Sequence, residues 1–232
     1  MNNFGKLIPA NIKNFVFLGE SGSGKSEIAV NLAMDLARYF NKKVHFFDMD
    51  MTKPLFRSRD LDEEFNKAGI ELHYEEQFMD APTLVGGVNR LLKDQDSIVI
   101  MDVGGDYIGA RSIGGFAPKF NNDENTLIYY VLNAMRPWSY DIEHIDETLA
   151  QILKVSHINL TQIKLIDNSN NGVTTTSEEY LEASMKMMET VIPYMPIEFS
   201  CVNEDLYDAV KQHAKLPLVS IHLYLTYEWL TE

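Results

Sequence analysis

Eight consecutive residues, Gly19-Glu20-Ser21-Gly22-Ser23-Gly24-Lys25-Ser26, carry the most specific chemistry in this 232-residue chain. They fit G-x-x-x-x-G-K-[ST], the P-loop pattern. Gly19, Gly22 and Gly24 let the backbone curl, so that the amides of Ser21 through Ser26 can point at a phosphate chain. Lys25 can reach the β- and γ-phosphates of a nucleotide, and Ser26 can offer its hydroxyl to Mg²⁺. Further polar residues close apolar runs elsewhere in the chain. Asp102 ends the run 97–101, as does a carboxylate that holds Mg²⁺ through water. Asp48 and Asp50 follow the run 43–47 and share a face if the strand persists, so both are candidates for metal contact or water positioning. Two carboxylates beside phosphates are tolerable only with a cation between them. Gly104-Gly105 has two readings: a tight strand-to-helix turn, or backbone that approaches the γ-phosphate and shifts when it leaves. Lys53, Arg57 and Arg59 also have two, a solvated loop paired with nearby acids or a clamp on a second anionic group or on the γ-phosphate.

These residues need elements to hold them. Apolar runs predict strands at 14–18, 43–47, 97–101, 126–132 and 159–166, with shorter ones at 71–74 and 196–201. Ile28, Leu32, Leu36 and Phe40 predict a helix directly after the P-loop. Helical spacing recurs over 81–92, at Ile142, Ile145, Leu149, Ile152 and Leu153, over 177–190 with Ser177 as N-cap, and over 205–211. Apolar strands alternating with amphipathic helices predict an α/β fold, a mostly parallel sheet with helices on both faces. One domain over 1–232 is expected. In such sheets ligands bind at the carboxyl ends of the strands, where the P-loop, Asp48/Asp50, Asp102, Asn133 and Asn168 all fall. The apolar tail, 221–230, either packs back on the domain or docks a partner.

Composition narrows the function classes. The formal net charge of −14 disfavours nucleic-acid and anionic-membrane surfaces, because the long-range field repels both. Cys201 is the sole cysteine, which rules out an intrachain disulfide and suits a reducing compartment. No run approaches ~18 apolar residues, so no membrane insertion is expected. The first 14 residues lack the apolar core of a signal peptide, and a cytoplasmic location is expected.

The P-loop, Asp48-Met49-Asp50 with the segment to Arg59, Asp102-Val103-Gly104-Gly105-Asp106 with Gly109-Ala110, Asn133-Ala134-Met135-Arg136-Pro137, and Asn168-Ser169-Asn170 with Thr174-Thr175-Thr176 occur in an order that resembles the MinD/ParA/CobQ-type P-loop NTPases. The resemblance implies a sheet of about seven strands and Mg-ATP as ligand. By motif match, Gly19, Ser21, Gly22, Ser23, Gly24, Lys25, Ser26 and Gly105 would surround the phosphates. Ser26, Asp50 and Asp102 would serve the metal, with Lys25, Asp50 and Asp102 as the catalytic set. Asn168 would lie at the loop meeting the base. The guanine-specific N-K-x-D pattern is absent, which favours ATP over GTP. A homodimer and a protein partner responding to nucleotide state are implied, with ATP hydrolysis as the activity. A small-molecule kinase or a ligase resembling dethiobiotin synthetase is the alternative, as is a regulator without turnover. One position departs. MinD and ParA relatives carry at the second P-loop position a signature lysine that reaches the partner's nucleotide, and here it is Glu20. Either an arginine such as Arg57, Arg59 or Arg111 substitutes, or hydrolysis is slow, or the dimer differs.

Overall fold

Strict alternation of side chains along the central strands builds two apolar cores, one on each face of a single sheet. The computed structural model describes residues 4–40, 42–50, 58–74 and 83–226. Its strands are β1 (Asn14–Gly19), β2 (Lys43–Met49), β3 (Ile70–His73), β4 (Ser97–Val103), β5 (Thr126–Leu132), β6 (Ile163–Asp167), β7 (Ile197–Asn203) and β8 (Leu218–Ile221). All neighbours pair in parallel, in the order β3-β2-β4-β1-β5-β6-β7-β8. The α/β expectation holds, with eight strands where about seven were expected. The additional one, β8, has only four residues and runs into the apolar stretch that reads as a tail.

The longer helices are α1 (Lys25–Tyr39), α2 (Thr83–Lys93), α3 (Ile142–Ser156) and α4 (Ser177–Val191). Phe15 and Phe17 of β1, Ile98 and Ile100 of β4, and Tyr129 and Val131 of β5 join the core under α1. Val16 and Leu18, Val99 and Met101, and Ile128 and Tyr130 join the opposite core, with Val88 and Leu92 of α2 and Ile145 and Leu149 of α3. The same parity puts Asp48 and Asp102 on the α1 face. They are register partners on β2 and β4.

β1 is the hinge of the topology. The chain builds outward from it to β2 and β3, returns as β4 on its flank, then crosses to β5 on the other side. Loops leaving such a switch point diverge and open a crevice at the carboxyl edge. Among the described residues no helix is long and apolar enough to cross a membrane.

One expectation is corrected. The N-cap of α4 is Thr176, not Ser177. Thr176 Oγ1 accepts from the Glu179 amide, and the Glu179 carboxylate reaches back to the Thr176 amide at 2.9 Å. This reciprocal box needs an acid three residues after the cap, and three residues after Ser177 stands Tyr180.

Candidate functional site

The P-loop takes a conformation that only its glycines permit. Gly22 and Gly24 lie at φ 79° and 89°, in the left-handed region. A Cβ on Gly24 would come within 2.0 Å of Asn168 Nδ2. Lys25 and Ser26 open α1 and are buried at the base of the crevice. Lys25 Nζ lies 4.0 Å from Asp50 Oδ2. The Asp50 amide donates to Asp48 Oδ1 at 3.1 Å, turning the end of β2 inward. Asp102 Oδ2 accepts from the buried Ser58 hydroxyl at 2.8 Å. Asp48 and Asp102, register partners on the α1 face, Asp50 beside Lys25, and the Ser26 hydroxyl offer only oxygen donors at this edge of the sheet. That chemistry fits a small hard cation such as Mg²⁺, with Lys25 offsetting the concentrated negative charge.

Gly105 presses on the loop itself. A Cβ there would lie 2.4 Å from the Ser21 amide nitrogen and 2.7 Å from the Glu20 carbonyl carbon. Gly104 sits beside Asp50 and the backbone of Gly109. The two glycines therefore couple the strand carrying Asp102 to the P-loop backbone. Gly105→Ala is expected to push the loop off its seat, lowering stability by about 1–3 kcal/mol as overpacking does, and weakening nucleotide binding. Thermal unfolding checks it, with Gly115→Ala as the silent control, since nothing lies within 4 Å of a Cβ at Gly115.

Asn168 does not simply face a base. Its Nδ2 donates to the Ser23 carbonyl at 2.8 Å, bracing the P-loop from β6. Ser23 turns its own groups inward, its amide to the Glu20 carbonyl at 3.2 Å and its buried hydroxyl toward Gly19. Asp167 is fully buried and accepts from the hydroxyls of Ser169, Ser184 and Ser200. Burial pushes its carboxyl up, against the pull of those three hydroxyls. It locks the loop after β6 to α4 and β7. That loop is tied in turn to the one after β5, by Asn133 Nδ2 donating to the Asn170 carbonyl at 2.8 Å.

Glu20 is held inside. Its Oε1 accepts from the Ser139 hydroxyl at 2.5 Å, and only 3% of the residue is exposed. Burial raises its pKa, while the Ser139 hydroxyl, Arg136 and Lys25 pull it down. Arg136 Nε donates to the Gly22 carbonyl at 3.0 Å, which puts a guanidinium on the P-loop. Arg111, a candidate substitute for the signature lysine, lies in a separate shallow cleft with Tyr107, Lys154 and His157. Lys53 and Arg57 lie outside the described residues, as does the side chain of Arg59.

A cleft of about 450 Å³ runs from this loop. Gly22, Gly24, Lys25, Ser26 and Arg136 line one end. Asn170 to Thr174 and Leu223, Leu225 and Thr226 line the other. The tail reaches the cleft because α1 holds it. Glu27 accepts from the Tyr224 and Leu225 amides at 2.6 and 3.1 Å, and Asn31 exchanges hydrogen bonds with the His222 backbone. The tail therefore packs back on the sheet as far as Thr226, while Tyr227 and Trp229 lie outside the described residues.

A sequence model of the CobQ/CobB/MinD/ParA nucleotide binding domain matches residues 15–207. The chain belongs to this family. No curated protein matches its sequence. Solved structures share the fold of this CobQ/CobB/MinD/ParA member. Chloroplast FtsY from Physcomitrella patens aligns with a TM-score of 0.53 at 15% identity, over 84% of this chain and 60% of that one. FtsY from Mycoplasma mycoides aligns at 0.54 and 15%, over 85% and 62%. The signal recognition particle receptor FtsY from Elizabethkingia anophelis, in complex with GDP, aligns at 0.52 and 15%, over 84% and 59%. The chain thus spans about three fifths of the length of these structures. In this CobQ/CobB/MinD/ParA domain Arg136 is a second cation on the P-loop, beside Lys25, that sequence reasoning missed as such. Its N-A-M-R-P segment stood out in the sequence, but nothing there showed that it folds onto Gly22.

Proposed function

We propose that this protein binds Mg-ATP in the cleft between the P-loop and the 170–174 and 223–226 segments, and hydrolyses it slowly as a conformational switch read by a protein partner. One observation carries the reading: Lys25 and Ser26 of the glycine-rich loop line a cleft of about 450 Å³, and Asp50 lies 4.0 Å from Lys25. Lys25 would bind the β- and γ-phosphates, with the amides of Gly22 to Ser26 taking charge that develops during in-line attack by water. Ser26 and Asp102 would hold Mg²⁺, which supplies charge neutralisation across the phosphate oxygens. Asp50 would orient the attacking water. Gly104 and Gly105, lying between Asp102 and the P-loop, would pass the loss of the γ-phosphate to the rest of the sheet. Adenine is favoured because Asn170, Asn171, Gly172, Val173 and Thr174 offer no carboxylate to pair with the guanine N1–H and amino group. Among the described residues the only acid lining the cleft, Glu27, is engaged by tail amides.

The inward fold of Glu20 favours a second reading, a nucleotide-bound regulator with almost no turnover. No lysine at that position serves a partner's nucleotide, and Arg136 is the second cation, after Lys25, that the described residues put on the loop. Purified full-length chain with Mg-ATP and Mg-GTP separates the readings. Tight ATP binding with slow phosphate release supports the switch, and tight binding without release supports the regulator. Failure to bind either nucleotide overturns both.

A further inference from the structure

The sheet edge away from the P-loop holds a second group of side chains that the nucleotide site does not use. His45 of β2 pairs in register with Glu71 of β3, and Phe47 with His73. His45 and Phe47, two apart on β2, face the core opposite α1, so Glu71 and His73 share that face with them. His45 Nδ1 lies 3.1 Å from His73 Nε2. Glu71 Oε2 lies 3.8 Å from His45 Nδ1, and its Oε1 lies 3.6 Å from His73 Nε2. The three ligand atoms all lie within 4.8 Å of one another. Tetrahedral Zn²⁺ with bonds near 2.0–2.1 Å sets its ligand atoms about 3.3–3.4 Å apart. Only small side-chain rotations separate the observed triangle from that spacing.

We infer that His45, Glu71 and His73 form a binding site for a transition-metal dication of the Zn²⁺ class. Two imidazole nitrogens and one carboxylate are a Zn²⁺ donor set with a fourth position left for water. The nitrogens are prepared for it. His45 is buried, and the His73 ring stacks on Phe47 at 4.4 Å and 14°, which fixes its direction. Burial lowers both imidazole pKa values, that of His73 to about 4, so both rings are neutral near pH 7 and carry lone pairs. Metal entry displaces the hydrogen between the facing nitrogens, which passes to the other nitrogen of its own ring, so each imidazole ligates as a neutral tautomer. The Lys43 ammonium, which bonds Glu71, keeps the carboxylate ionised and would yield part of that contact to the metal. The site is distinct from the P-loop. It lies five residues before Asp50 on β2, about 16 Å along the strand, on the other face. A bound ion would staple the edge strand β3 to β2.

Cobalt(II) reports on the site, because tetrahedral Co²⁺ with nitrogen ligands absorbs strongly in the visible and the octahedral all-oxygen ion hardly does. Nucleotide-free, chelator-treated full-length chain is titrated with Co²⁺ and then with Zn²⁺. The expected result is an intense visible band that saturates at one equivalent and is bleached by one equivalent of Zn²⁺. Glu71→Gln, at a half-exposed position, should weaken Co²⁺ affinity at least tenfold, and His73→Gln should abolish the band. Mg-nucleotide binding should stay unchanged in both. If His73→Gln does not fold by circular dichroism, Glu71→Gln decides alone. A folded wild-type chain without the tetrahedral band overturns the site, as does a band that survives the folded variants undiminished. The pair is then a histidine–histidine hydrogen bond and no more.

Discussion

Lys25→Ala is expected to lower Mg-ATP affinity by two orders of magnitude or more. Lys25 is buried at the head of α1, with Asp50 4.0 Å away and Asp48 and Asp102 on the same face. Removing it deletes a charge-assisted contact to the phosphates, worth about 1.5–3 kcal/mol. It also leaves the carboxylates without their neighbouring cation just where more negative charge must arrive, and breaking a buried pair costs about 3–5 kcal/mol. Each 1.4 kcal/mol is a factor of ten, so the smaller penalties together suffice for the loss. The free protein should be affected less, because water can reach the vacated crevice. Calorimetric titration of both chains checks this. Unchanged affinity in a folded Lys25→Ala chain would mean that the phosphates do not sit on this loop.

Glu20→Lys, the change that restores the signature residue of MinD and ParA relatives, should destabilise the protein rather than activate it. The side chain points inward to the Ser139 hydroxyl, with Arg136 and Lys25 close enough to act on its charge. A lysine there would put a third cation into that buried corner. An uncompensated buried charge costs about 3–5 kcal/mol, which in a chain of this size lowers Tm on the order of 10 °C. Phosphate release should not rise. Glu20→Gln serves as the companion variant, because it removes the charge and can keep the Ser139 bond. The folded-state pKa of Glu20 is raised, so its contribution to stability is present below the ordinary value of 4.5 and is lost as pH rises through the raised one. The difference between wild type and Glu20→Gln should therefore be small at pH 4 and grow in favour of the variant toward neutrality. Denaturant unfolding at several pH values measures it. A Glu20→Lys chain with wild-type stability and faster turnover would show that residue 20 faces a nucleotide.

The strands and the P-loop were legible because their signals are local. Glycines at fixed offsets, an apolar run into Asp102 and helical spacing from Ile28 to Leu36 each lie within one short window. What the sequence hid are bonds between distant residues. Glu20 meets Ser139 across 119 positions, Arg136 meets Gly22 across 114, and Glu27 meets Tyr224 across 197. No periodicity encodes such pairs, so Glu20 read as a missing cation when it is an internal brace. Asn168 directly follows β6, and its amide is spent on the Ser23 carbonyl, a partner 145 positions away. His45 and His73 passed unnoticed because register pairing, which sets them face to face, exists only once β2 and β3 are side by side. The cap of α4 was misread by one residue because both Thr176 and Ser177 are good caps, and only Glu179 distinguishes them.

A nucleotide in the cleft should seat its phosphates on Gly22 to Ser26. A crystal structure of the full chain with Mg²⁺ and a non-hydrolysable ATP analogue tests this most directly. The expected result is Lys25 Nζ within hydrogen-bond reach of the β- and γ-phosphates and Mg²⁺ beside Ser26. The base should lie between the 170–174 and 223–226 segments, with Glu20 still on Ser139. An analogue bound with its phosphates off the loop, or a P-loop that stays empty at saturating analogue, would contradict it.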